Sequence, residues 1–163
     1  MTKVIGFDPG TRIFGYGIIE WEGTRLKVID FGCIRPPSKL PLADRYLIIH
    51  EAIEGLLKTH RPDACAFEKP FFKEINPQST LKLGMAFASG LLAAKKMKID
   101  VHEYTPTHAK KAVVGTGSAS KEQVQGVLQR LFSLRTLPKP FDAADALALA
   151  VCCYYDVTRR KIQ

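Results

Sequence analysis

The sequence predicts an α/β domain built on a mixed five-stranded sheet flanked by helices. Three observations carry that expectation. The chain opens with three strand-like runs separated by turn formers, continues by alternating helical and strand patterns, and closes with helices.

Taken in order, Val4 to Asp8 is a short apolar run ending at the turn pair Pro9–Gly10. Residues 14–20 and 26–34 repeat the strand pattern across Glu22-Gly23-Thr24, which predicts a three-stranded meander. Pro36, Pro37 and Pro41 mark a loop. Over 42–60, Leu47, Ile48, Ala52, Ile53, Leu56 and Leu57 recur at helical spacing. Arg61-Pro62-Asp63 stops that helix, and residues 64–68 form a brief buried strand. A helix over 79–96 is apolar on nearly every side, with Leu81, Leu83, Met85, Phe87, Leu91 and Leu92. A fifth strand over 99–104 precedes short helices at 107–113 and 120–131, the second opened by Ser120 as N-cap. Pro138 and Pro140 then lead into a last helix over 142–156. Residues 1–157 are expected to form one domain and 158–163 a disordered basic tail.

A chain of 163 residues can bury a core without disulfides or structural metal. Its 46% hydrophobic and 25% charged content is that of a water-soluble globular protein, and charges interrupt every apolar stretch short of a membrane span. The first residues carry no secretory signal pattern, which predicts a cytoplasmic protein. Cys33, Cys65, Cys152 and Cys153 have neither disulfide-framework nor zinc-finger spacing and read as buried small hydrophobes. Lys and Arg outnumber Asp and Glu by 24 to 16, a net +8, which favours polyanionic partners.

The chemistry points to acids in places where acids are costly. Asp8 and Glu68 each end an apolar strand, and Asp142 and Asp145 begin an otherwise apolar helix. Their i, i+3 spacing puts the last two on one helical face. Each has a plain alternative: Asp142 as a helix cap, Asp8 as a turn residue, Glu68 in a salt bridge with Lys69 or Lys3. The combination argues otherwise, because ligands in α/β sheets gather beyond the carboxyl ends of strands. Converging carboxylates need cations, and oxygen donors suit Mg²⁺ or Mn²⁺. Two such ions can support phosphodiester hydrolysis. A basic protein with an acidic, metal-binding centre reads as a nuclease.

The segments IGFDPGTRIFGYGII, FEKPFF, NPQSTLKLG, EYTPTHAKKAVVGTGSASKEQV and FDAADALALA together resemble the RuvC family of Holliday junction resolvases, of the ribonuclease H-like (retroviral integrase) fold group. The resemblance spans about residues 2–155. It implies that Asp8, Glu68, Asp142 and Asp145 hold two Mg²⁺ ions per subunit, with Mn²⁺ as a substitute. Lys110 and Lys121 would contact phosphates near the cut or support the transition state, and Lys111 would add to the basic region. Phe71 or Phe72 would stack on junction bases. The 79–96 helix resembles the family's dimer-forming helix. A homodimer would make paired nicks in four-way junction DNA, leaving 5′-phosphate and 3′-hydroxyl ends. Its partner would be the RuvA–RuvB branch-migration complex at the bacterial nucleoid. Two departures stand out: Phe87 where the family carries Arg, and Lys69-Pro70 after Glu68. Asp8-Pro9-Gly10-Thr11 also resembles the phosphate loop of actin-like sugar kinases, but those need two such domains. A nuclease for RNA or single strands and a non-catalytic junction-binding protein are the other rivals.

Overall fold

The computed structural model describes residues 2–70 and 76–160. Strands β1 (Thr2–Asp8), β2 (Phe14–Glu22) and β3 (Arg25–Ile34) form the expected antiparallel meander. Helix α1 (Leu42–His60) leads to β4 (Ala64–Glu68), and α2 (Pro77–Lys96) to β5 (Asp100–Tyr104). Helices α3 (Pro106–Val114), α4 (Lys121–Leu131) and α5 (Phe141–Arg160) close the chain. The sheet order is β3-β2-β1-β4-β5, and β1, β4 and β5 run parallel. This is the mixed, helix-flanked sheet of the ribonuclease H-like group.

Alternation along the strands sorts side chains into two cores. Ile5 and Phe7 of β1, with Cys65 and Phe67 of β4, pack against Ile49, Ile53 and Leu57 of α1 and Ala86, Ala93 and Ala94 of α2. Val4 of β1, with Ala64 and Ala66 of β4, faces α3, α4 and the apolar stretch Leu147 to Cys153 of α5. The parallel register pairs Phe7 with Phe67, so both strands end together. Asp8 and Glu68 are the next residues in the α5-facing phase.

Helix α5 lies directly on the sheet because glycines clear its path. A Cβ built on Gly6 would stand 2.0 Å from the Ala146 carbonyl oxygen, and one on Gly15 would stand 2.2 Å from that of Asp142. Such contacts leave room for no side chain but hydrogen.

The other face is tied at its rim by ions. Glu54 of α1 accepts hydrogen bonds from Lys96 of α2 at 2.9 Å and Lys58 at 3.1 Å. These bonds hold its carboxyl down at about 2, against an ordinary 4.5. A carboxyl depressed in the fold contributes stability above its unfolded value and loses it as pH falls through the folded one. Glu54→Gln should therefore lower the melting temperature at neutral pH. The difference from the parent should shrink as pH drops from about 4.5 towards 2, read by thermal melts across that window. A constant difference would refute the assignment.

Two ends differ from the expected limits. Helix α2 begins at Pro77 rather than residue 79 because Asn76 caps it, accepting from the Ser79 amide at 3.1 Å. Helix α5 runs through Arg160 rather than ending near Asp156, so residues 158–160 of the expected disordered tail are helical, and the Thr158 hydroxyl donates back to the Tyr154 carbonyl at 2.8 Å. The end of the apolar pattern marks where burial stops, which need not be where the helix stops. All four cysteines are free; Cys65, Cys152 and Cys153 are buried as expected, but Cys33, on the outer strand β3, is only half-buried.

Candidate active site

Asp8, Glu68 and Asp145 line one cleft of 240 Å³ together with Lys110, Lys121 and Pro106. Asp8 and Glu68 form its floor at adjacent strand ends. Asp145 descends from α5, and Asp142 stands one turn earlier on the same helix, close enough for its charge to act on Asp8. Lys110 comes from α3 and Lys121 from the first position of α4. Six residues singled out from the sequence thus converge from five elements.

The alternatives for the acids can now be weighed. Asp8 lies within β1, paired with Gly15 across the ladder, and so is a strand residue rather than a turn residue. Lys3 pairs with Glu20 and donates to the His60 carbonyl at the far end of β1, away from Glu68. Asp142 sits inside the first turn of α5, where the helix dipole favours a carboxylate. That placement is compatible with ligand duty as well.

Electrostatics mark the cleft as short of positive charge. Burial pushes the Asp8 carboxyl well above the usual range, and the charges of Glu68, Asp145 and Asp142 push it further, opposed by Lys121. Lys121 Nζ donates to Asp145 Oδ2 at 3.0 Å and lies 5.5 Å from the centre of the Phe141 ring. Burial alone draws that ammonium down. The Asp145 hydrogen bond and charge, with Asp8 and Asp142 behind them, outweigh it and hold Lys121 above the ordinary lysine value. A cation at a helix N-terminus opposes the dipole, so the position of Lys121 answers to Asp145 rather than to its own helix.

The donor set is all carboxylate oxygen, the chemistry of a hard divalent ion. Such an ion would reverse the repulsion that raises Asp8. The residues present therefore fit the metal that the sequence implies.

Local sequence explains the placement. Ser120 and Gln123 form a reciprocal capping box that fixes where α4 starts and hence where Lys121 stands. Buried Gln125 donates to the Pro138 carbonyl at 2.6 Å, tying α4 to the loop that launches α5. Arg45, buried on α1, donates through Nη2 to the Thr11 carbonyl and anchors the loop after Asp8. Sequence reasoning missed both supports. The helical phase held the signal for Arg45, because it lies four residues before buried Ile49 and in line with Ile53 and Leu57.

Not every expected residue reaches the cleft. Exposed Lys111 lines a different hollow. Phe71 and Phe72 lie outside the described residues. Phe87, the departure from the family pattern, points at the sheet, its ring edge-on to Phe67 at 5.6 Å.

Residues 4–153 match the family model for crossover junction endodeoxyribonuclease RuvC. The chain belongs to the RuvC family. A RuvC of Protochlamydia amoebophila is 52% identical over 149 residues, 91% of this chain and 88% of that protein. The RuvC of Heliobacterium modesticaldum is 43% identical over 95% of each chain. Among solved structures, Thermus thermophilus RuvC in complex with a Holliday junction substrate superimposes with a TM-score of 0.89 at 29% identity, covering 98% of this chain and 97% of that one. This RuvC-family chain is accordingly a divalent-metal-dependent endodeoxyribonuclease of DNA recombination and repair.

Proposed function

We propose that this RuvC-family protein resolves four-way DNA junctions by paired, symmetric nicks. The observation that carries the reading is the cleft itself, with Asp8, Glu68, Asp142 and Asp145 gathered beside Lys110 and Lys121. The four acids would hold two Mg²⁺ ions per subunit, with Mn²⁺ able to substitute. Bound there, the ions supply Lewis-acid charge and an activated water for phosphodiester hydrolysis. Lys110 and Lys121 offer ammonium groups to the phosphate being cut. Neutralising strand charge at this point lets an anionic substrate approach an anionic site. Residues 1–157 act as one nuclease domain. Lys111, set apart from the cleft, would serve binding rather than cutting, and Phe71 or Phe72 would stack on junction bases.

Paired cutting needs two sites, and α2 supports a homodimer. Leu81, Met85 and Leu92 are 66%, 49% and 63% exposed on one chain, an apolar stripe that a second copy would cover. Family membership supports cooperation with the RuvA–RuvB branch-migration complex, acting at the nucleoid. Among the described residues, no helix is long and apolar enough to cross a membrane.

A supercoiled plasmid extruding a cruciform tests the whole reading. With Mg²⁺ or Mn²⁺ the protein should give linear product bearing 5′-phosphate ends, and RuvA with RuvB should speed it. Chelator should stop the reaction, and linear duplex should stay uncut. Accumulation of nicked circles alone would remove the paired mechanism, and equal cutting of duplex would remove junction selectivity.

A further inference from the structure

A second constellation lies on the opposite side of α3 from the cleft. His108 of α3 meets Cys152 and Asp156 of α5, with one ligand-capable atom from each lying within 4.8 Å of the other two. Cys152 and Asp156 are one helical turn apart on a single face, and the packing of α3 on α5 brings the imidazole to them. Thr105 caps α3 by accepting from the His108 amide at 3.2 Å, and the Tyr104 ring meets the imidazole edge-on at 5.4 Å. The histidine is therefore held in place on both its backbone and its ring.

We propose that His108, Cys152 and Asp156 form a second metal site, for Zn²⁺ or a similar borderline-soft divalent ion. Nitrogen, sulfur and oxygen donors together suit such an ion, whereas the all-oxygen cleft suits a hard one. Three protein ligands leave a fourth position facing a hollow of 650 Å³ lined by Thr105, Thr107, His108, Lys111, Tyr155 and Asp156. Cys152 is buried, Asp156 half-buried and His108 exposed, so the ion would enter from the hollow and settle against the thiol. Coordination releases the Cys152 proton to solvent and forms the metal–sulfur bond with the thiolate. Lys111 on the rim opposes a cation, but its long side chain is exposed and free to swing away. The sequence shows no zinc spacing because that rule looks for ligands close along the chain, and here the fold supplies the third from a different helix. A bound ion would brace α3, which carries Lys110, against α5, which carries Asp142 and Asp145.

Cobalt titration of the full-length, reduced and metal-stripped protein tests this. A near-ultraviolet thiolate-to-cobalt charge-transfer band reports a thiolate ligand, and because the half-buried Cys33 thiol stands close to Asp142 and Asp8, the band is assigned to the new site by its loss in C152S. With the cleft kept filled by excess Mg²⁺, the band should saturate at one Co²⁺ per chain and be displaced by Zn²⁺. C152S should abolish it. H108Q, a change at an exposed position that spares the fold, should weaken Co²⁺ binding by at least the ~10–100-fold that even an outer-shell loss costs. Absence of the band, its survival in C152S, or an H108Q titration that overlays the parent would each overturn the proposal.

Discussion

Asp8→Asn is expected to lower four-way junction cleavage by at least ~10²–10³-fold, the loss that follows removal of one preorganised charge-stabilising group. Junction binding should persist, since the basic surface is unchanged. The reason lies in the electrostatics of the cleft. The Asp8 carboxyl is pushed up by burial and by three neighbouring carboxylates, so the protein alone disfavours its ionised form. A group whose folded value is raised is destabilising once pH exceeds its unfolded value near 3.8. Asparagine removes that penalty at similar size. The variant should therefore melt higher than the parent at neutral pH in chelator, and gain less from added Mg²⁺ than the parent does. Cleavage rates, junction mobility shifts and paired melts separate the outcomes. Retained cutting would remove Asp8 from the ligand set, and a lower melting temperature would mean a structural role.

Gly15→Ala should cost on the order of 10²-fold in cleavage, the loss that a misplacement of about 1 Å brings. The added methyl would meet the Asp142 carbonyl oxygen at 2.2 Å and its Cβ at 3.2 Å, and neither can yield without moving the first turn of α5. That turn carries Asp142, and Asp145 follows one turn on. Gly6 makes an equally close approach, but against Ala146 and Ala150 in the middle of the helix, so alanine there should lower stability first. Measuring turnover and melting temperature for both variants distinguishes a displaced site from a weakened fold. If Gly15→Ala cut junctions at the parent's rate, the glycine would not be what seats the first turn of α5.

Much of this was legible in the sequence. The three opening strands, α1 and the short β4 follow from apolar periodicity and from Pro and Gly punctuation. The acids declared themselves by violating that pattern at Asp8 and Glu68. What the sequence could not display was tertiary. The helical period turns the neighbours Lys110 and Lys111 about 100° apart on α3, but only the fold decides that Lys110 enters the acidic cleft and Lys111 a separate hollow. Gly6 and Gly15 read as strand irregularities until α5 is laid across them. The helical phase places Arg45 on the buried stripe of α1, but only packing reveals that it and Gln125 tie their helices to the loops around the site. The cysteine pair at 152 and 153 follows the same logic, because spacing along the chain is silent about His108 on a different helix.

The alternation that sorts Asp8 and Glu68 onto the α5 side makes the site a matter of counting as well as identity. A one-residue gain or loss within β1 would turn its carboxylate into the layer of Ile53 and Leu57, with every local residue type unchanged. A two-residue change would restore the face and cost only strand length. Parity, rather than composition, is the narrowest constraint on how this half of the nuclease can vary.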